Sequence, residues 1–173
     1  MSATPPEANY EYSRGPRASR RARHLIVAGT LLGATLLLVA EFTTLYTVHE
    51  AGHSAAVNSE GTGPHHAFAL VPLALLAAAL AVFGVYRSSS RPALAAIGAV
   101  GVLALLIALL GDLPDAHSHG ITTGFVLASA TPTTGLYLET LGALLLVLAS
   151  GLGLVAGMPA GAVPWRRRTA TPV

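Results

Sequence analysis

The chain has 173 residues, of which 53% are apolar and only 10% charged, and its formal net charge of +2 comes from ten basic residues, all arginine, against eight acids. That balance excludes an ordinary soluble domain, which carries about a quarter of its residues as charges, and makes a lipid bilayer the natural solvent. With no cysteine there is no disulfide, thiolate metal site or cysteine nucleophile, and no glycine-rich phosphate loop, GxSxG elbow or basic aromatic surface for nucleic acid occurs.

Residues 1–23 are rich in Pro, Ser, Glu and Arg without apolar periodicity and read as a disordered tail. A membrane domain follows over 24–158, with spans expected at 25–48, 67–86, 92–111 and 135–157, and a tail over 159–173. Each span reaches the length of about 20 residues that a hydrocarbon core requires, and none holds a basic residue. Ser19-Arg20-Arg21 ahead of the first span also resembles a twin-arginine or secretory signal, with Leu38-Val39-Ala40 as a cleavage site. The apolar run is longer than the roughly 7–15 residues of such a signal, and the arginines are explained equally by anchoring.

Basic residues resist translocation, and all ten arginines fall in the two tails or in the link between spans two and three. The expected fold is therefore an all-α integral membrane protein, an up-and-down bundle of four transmembrane helices with both termini cytoplasmic in the plasma membrane. The arginine-only basic set and the Ala/Gly/Val richness fit a bacterial, GC-rich origin. Gly29 and Gly33, Ala95 and Ala99, and Ala149, Gly153 and Gly157 offer small-residue strips for helix packing. Pro72 calls for a kink or a late helix start. The piece 124–128, followed by 129–134, can pair with residues near Tyr46–Val48 as a small outer β-element, so short strands in the two outer loops are part of the expectation.

The remaining charges collect on one side. Six of the seven histidines and six of the eight acids fall at or near the outer face, where no arginine accompanies them. The first outer loop holds His49, Glu50, His53, Glu60, His65 and His66, and the second holds Asp112, Asp115, His117 and His119. Glu41 and Glu139 are intramembrane acids at the outer ends of spans one and four, and such acids usually face the bundle interior or water. Imidazole and carboxylate together suit a divalent metal such as zinc, with His49, His53, Asp112, Asp115, His117 and His119 as candidate ligands.

His49-Glu50-Ala51-Gly52-His53 is a literal HExxH and resembles the zinc motif of site-2-type intramembrane metalloproteases. That resemblance implies zinc on His49 and His53 with Glu50 as the catalytic base, provided the first helix runs past Val48, and it covers five residues of the chain. Asp112 is followed by Leu113-Pro114 and Asp115 by Ala116, so the aspartate-glycine element of that family is missing. The alternative is that YTVHEAGHSAAVN leaves the helix as a loop or short strand.

Three functions remain open. The leading one is a non-enzymatic accessory, assembly or sensing protein whose partners are the bilayer and a membrane protein or a second copy. The others are a small cation- or proton-linked transporter or channel using Glu41 and Glu139, and the metalloprotease. A chain this small leaves little room for a substrate cavity of the usual size, about 300–1,000 Å³.

Overall fold

The computed structural model describes residues 16–52, 55–87, 90–121 and 126–156, and their side chains from Arg20 onward. It contains four helices long and apolar enough to cross a membrane, Arg20–Ala40, Leu70–Arg87, Arg91–Ala116 and Thr134–Val155, together with one small sheet.

Helix α1 (Pro16–Ala40) begins inside the segment read as a disordered tail and ends eight residues before the expected end of span one at Val48. The stop is chemical. After Ala40 the sequence turns to β-branched and aromatic residues, which lose rotamer freedom in a helix and fit a pleated strand. The Thr43 hydroxyl donates to the Ala40 carbonyl at 2.8 Å, occupying an acceptor the helix has left open. Strand β1 (Thr44–Glu50) follows at once.

Strand β2 (Asn58–Gly61) leads into a single helical turn, α2 (Thr62–His65). Two successive residues, Ala67 and Phe68, then take left-handed φ angles of 50° and 59° before α3 (Leu70–Ala79) starts. Pro72 sits in the first turn of α3, where its missing N–H costs no helical hydrogen bond, so the late start is the observed solution. The helix continues in wider, π-type turns from Leu80 to Arg87. Helix α4 (Arg91–Leu106) is capped by Ser90, whose hydroxyl accepts from the Ala93 N–H, and Pro92 lies in its first turn. It too widens, from Ile107 to Asp112, and closes with the turn α5 (Leu113–Ala116). Strands β3 (His119–Ile121) and β4 (Leu127–Pro132) precede α6 (Thr134–Val155).

The sheet is antiparallel in the order β2-β1-β4-β3. The expected β-pairing is present: Tyr46 pairs with Pro132, Thr47 with Thr131 and Val48 with Ala130. A register irregularity between Thr44 and Tyr46 turns Leu45 inward, where it is buried against Ala116 and Leu136 at the end of the bundle.

The helices form a closed ring, with α6 lying between α1 and α4 and α3 with its continuation on their other side. Backbones approach closely at glycines. A Cβ on Gly33 would stand 2.8 Å from the Gly142 carbonyl, and one on Gly142 would stand 2.9 Å from the Gly33 carbonyl. On α4 the contact residues are Gly98 against Ser150 and Gly101 against Leu146, whereas Ala95 and Ala99 face outward, so the strip expected on span three is displaced around the helix. Gly157 lies outside the described residues. The core between the helices includes Ile26, Ala77, Ala81, Val85, Ile97 and Leu146. The outward faces carry Leu32, Leu75, Phe83, Leu110, Leu148 and Leu152, all exposed.

Charge divides between the two ends. Arg23 lies over the Tyr86 ring at 5.6 Å, which brings the start of α1 to the Arg87 and Arg91 link. Glu41, Asp112 and Glu139 lie at the opposite end, beside the sheet.

Candidate metal centre beneath the sheet

Three acids are buried at the sheet end of the bundle: Glu41 at 1% exposure, Asp112 at 1% and Glu139 at 0%. They come from three different helical segments and reach their positions by three different devices.

Glu41 is the residue at which α1 ends. Its Oε1 accepts from the Leu70 N–H at 2.9 Å, capping the first turn of α3 with a carboxylate, the arrangement favoured where N–H groups lack partners and the helix dipole is positive. Its backbone carbonyl accepts from the Gly63 N–H at 2.9 Å, and a Cβ on Gly63 would stand 2.6 Å from that carbonyl. One residue thus fixes both α2 and α3.

Asp112 is turned inward by the π-type turns that precede it, the Leu113 N–H reaching back to the Ala108 carbonyl. Pro114, two residues later, cannot donate to a helical partner, which favours the irregularity. Two imidazoles meet this carboxylate. His66 Nε2 lies 2.7 Å from Asp112 Oδ1 and His65 Nε2 lies 3.5 Å from the same oxygen. His65 Nε2 is also 3.6 Å from Oδ2 of Asp115, a half-exposed acid on the rim. The histidine rings stand 5.1 Å apart, and the edge of Tyr46 from β1 packs on His65 at 6.2 Å. The hydrogen bond to Asp112 holds the His66 imidazole above its usual pKa, against the opposing effect of burial.

Glu139, on α6, stands beside Asp112 and within electrostatic range of Glu41. Its carboxyl lies close enough to Asp112 for the two to share a proton, but no other group donates to either of its oxygens among the described residues, and Asp112 Oδ2, Glu41 Oε2 and His66 Nδ1 likewise lack further partners. Buried polar atoms are nearly always satisfied, so five orphans in one place mark a site that is incomplete on protein atoms alone. Two carboxyl groups side by side in a low-dielectric interior need a proton or a cation between them. The ligand atoms of His65, His66 and Asp112 all lie within 4.8 Å of one another, close enough for small side-chain rotations to bring them onto one metal ion.

The ligands expected from the sequence are only partly assembled here. Asp112 is central and Asp115 is on the rim. His49 and Glu50 are on β1, followed by a turn with Gly52 at φ +89°, so the helical HExxH required by the protease reading is not formed. His53 lies outside the described residues. His49 and His119 both pair with Ser129, from opposite sides of β4, which separates them by two strand spacings, about 10 Å. The His117 ring bonds the Leu113 carbonyl and is exposed. His65 and His66 were visible as outer-loop histidines but stood outside the expected ligand set. Consecutive antiparallel spans must place the start of the second and the end of the third at one end of the bundle, and that topology was the available signal.

Beside the acids, a hollow of about 760 Å³ opens between sheet and helices, lined among others by Glu41, Thr43, Thr44, Thr47, Phe68 and Thr133. It is an open depression where the sheet stands off the helix ends, not an enclosed cavity. No family model matches the chain, and neither does any curated protein or solved structure.

Proposed function

We propose that this chain is a multi-pass membrane protein, with its termini and arginines on the cytoplasmic side, that binds a cation at its outer end in a sensing or accessory role. The apolar outward faces suit lipid, and the arginine end suits the cytoplasmic boundary. The observation that carries the cation reading is the stack of three buried carboxyls, with no arginine beside them among the described residues, against two imidazoles. Such an arrangement is costly in a hydrocarbon setting unless a cation or protons complete it.

A sensing or accessory role is favoured over conduction by the other half of the molecule. Below the acids the core is aliphatic, and its buried polar groups, Thr30 and Ser150, are bonded to carbonyls of their own helices at 2.9 Å. The polar chain stops part-way. Transport is the second reading, supported by the inward placement of Glu41 and Glu139, which a lipid-facing role would not require.

The test is thermal unfolding of the detergent-purified protein with a panel of alkali, alkaline-earth and transition-metal ions. At least one ion is expected to raise Tm in wild type and to lose its effect in Asp112→Asn. A panel without any shift overturns the reading. Ion flux in proteoliposomes then separates the roles, since uptake would favour transport and its absence a sensing or accessory part.

A further inference from the structure

The geometry points to a specific ion class and ligand set: we propose that His65, His66 and Asp112 form a mononuclear site for a divalent transition-metal ion of the zinc type, with the Glu139 carboxyl of α6 beside it. This rests on the cation reading above and gives the cation its chemistry.

The donor set argues the class. Calcium and magnesium take oxygen ligands throughout, six or more of them, whereas two imidazoles with carboxylates suit zinc, nickel or copper. Spacing agrees. Ligands at metal bonds of about 2.0–2.2 Å in a tetrahedron lie about 3.4 Å apart, and His65 Nε2 to Asp112 Oδ1 is 3.5 Å. The shorter 2.7 Å pair between His66 and Asp112 is a hydrogen bond that opens slightly when a metal takes the place of its proton.

Asp112 itself supplies the independent observation: it is 1% exposed, and its second oxygen, Oδ2, is buried without a hydrogen-bond donor. A buried carboxylate oxygen left open beside two imidazoles marks a cluster built for a ligand and not merely a set of polar residues near a surface. Glu41 has one oxygen committed to the Leu70 N–H, and Asp115 is a rim residue, 54% exposed. Glu139 is fully buried and stands next to Asp112, outside the three-residue ligand group. Its carboxylate, with that of Asp112, would balance a divalent charge, which lowers the cost of holding the ion at this depth.

The supporting residues have definite places. Tyr46 packs its edge on His65, and the short α2 turn, pinned through Gly63 to the Glu41 carbonyl, presents both histidines in succession. The left-handed pair Ala67 and Phe68 turns the chain between His66 and the membrane helix.

Cobalt(II) is the probe, because a tetrahedral nitrogen and oxygen site gives it an intense visible absorption that octahedral or aqueous cobalt lacks. Wild-type protein in detergent should bind one equivalent with this spectrum and release it to one equivalent of zinc. A His65→Ala, His66→Ala variant should lose the spectrum and at least 100-fold in affinity, a loss of the size seen for removed ligands and their supports. Glu139→Gln should keep the spectrum and weaken affinity about 10-fold, as loss of a supporting neighbour does. His49→Ala and His119→Ala serve as controls and should match wild type. Loss in the controls equal to that in the double variant overturns the ligand set, as does an unchanged spectrum in the double variant. Calcium or sodium raising Tm while cobalt gives only its aqueous spectrum overturns this proposal and leaves the cation reading standing. No response to any ion removes both. The Tm of each metal-free variant shows that it is folded.

Discussion

The Glu41 carboxylate, at the last turn of α1, accepts a hydrogen bond from the backbone N–H of Leu70, the first residue of α3. One side chain thereby joins the exit of one apolar helix to the entrance of the next. Glu41→Ala orphans a buried N–H and should cost about 1–3 kcal/mol, whereas Glu41→Gln keeps a carbonyl in reach and should cost less. Reversible unfolding in mixed detergent micelles measures both. Equal losses for the two variants would show that the hydrogen bond is not what Glu41 contributes.

Gly33 and Gly142 face each other across the α1–α6 contact, and each would place a Cβ within 3 Å of the other's carbonyl. Gly142→Ala should therefore push the helices apart and cost about 1–3 kcal/mol, as overpacking does. Gly151→Ala, where an added Cβ meets nothing within 4 Å, should be neutral or slightly stabilising. The comparison of their melting temperatures isolates sterics from helix propensity.

Ala67 is a non-glycine residue at φ 50°, followed by Phe68 at φ 59°. Left-handed backbone costs an L residue about 1–2 kcal/mol, and glycine escapes that cost. Ala67→Gly should be stabilising by about 0.5–1 kcal/mol after the loss in unfolded-state entropy is subtracted. A lower melting temperature would mean that Ala67 is not held in that conformation in solution.

The His66–Asp112 pair gives stability a pH dependence. Folding raises the His66 pKa above its ordinary 6.5, so the folded state binds the proton more tightly than the unfolded chain does. The contribution is fully present below about pH 6.5 and is lost as pH rises through the higher folded value. In chelator-treated protein, Tm should fall between mildly acidic and mildly alkaline pH, and His66→Gln should flatten that part of the profile. An identical slope in the variant would assign the dependence to other groups.

Much of the architecture was written in the sequence because lipid imposes a strong pattern. The apolar runs and the grouping of arginines locate four helices, and the β-branched TTLYTV segment together with LASATP supports the outer pairing. The end of α1 was harder to see, since Leu45, Tyr46 and Val48 continue an apolar run by composition while favouring a strand by shape. That ambiguity also made HEAGH look like a helical pair of ligands. The site itself depends on contacts between residues 46 apart, His66 and Asp112, which no local pattern reports. Their meeting follows only from the hairpin of the second and third spans.

The ring of helices has a consequence for the order of biogenesis. The last helix, α6, lies between the first and third spans and carries Glu139 to the group formed by Glu41, Asp112 and the histidines. Chains emerge N-terminus first, so until the final span inserts, the acids of the earlier spans stand at an open groove. Connectivity has a consequence for truncation: a chain cut before residue 127 lacks both the wedge that closes the ring and strand β4, which holds β1 to β3. The acids and histidines are closed in only when α6 takes its place between α1 and α4.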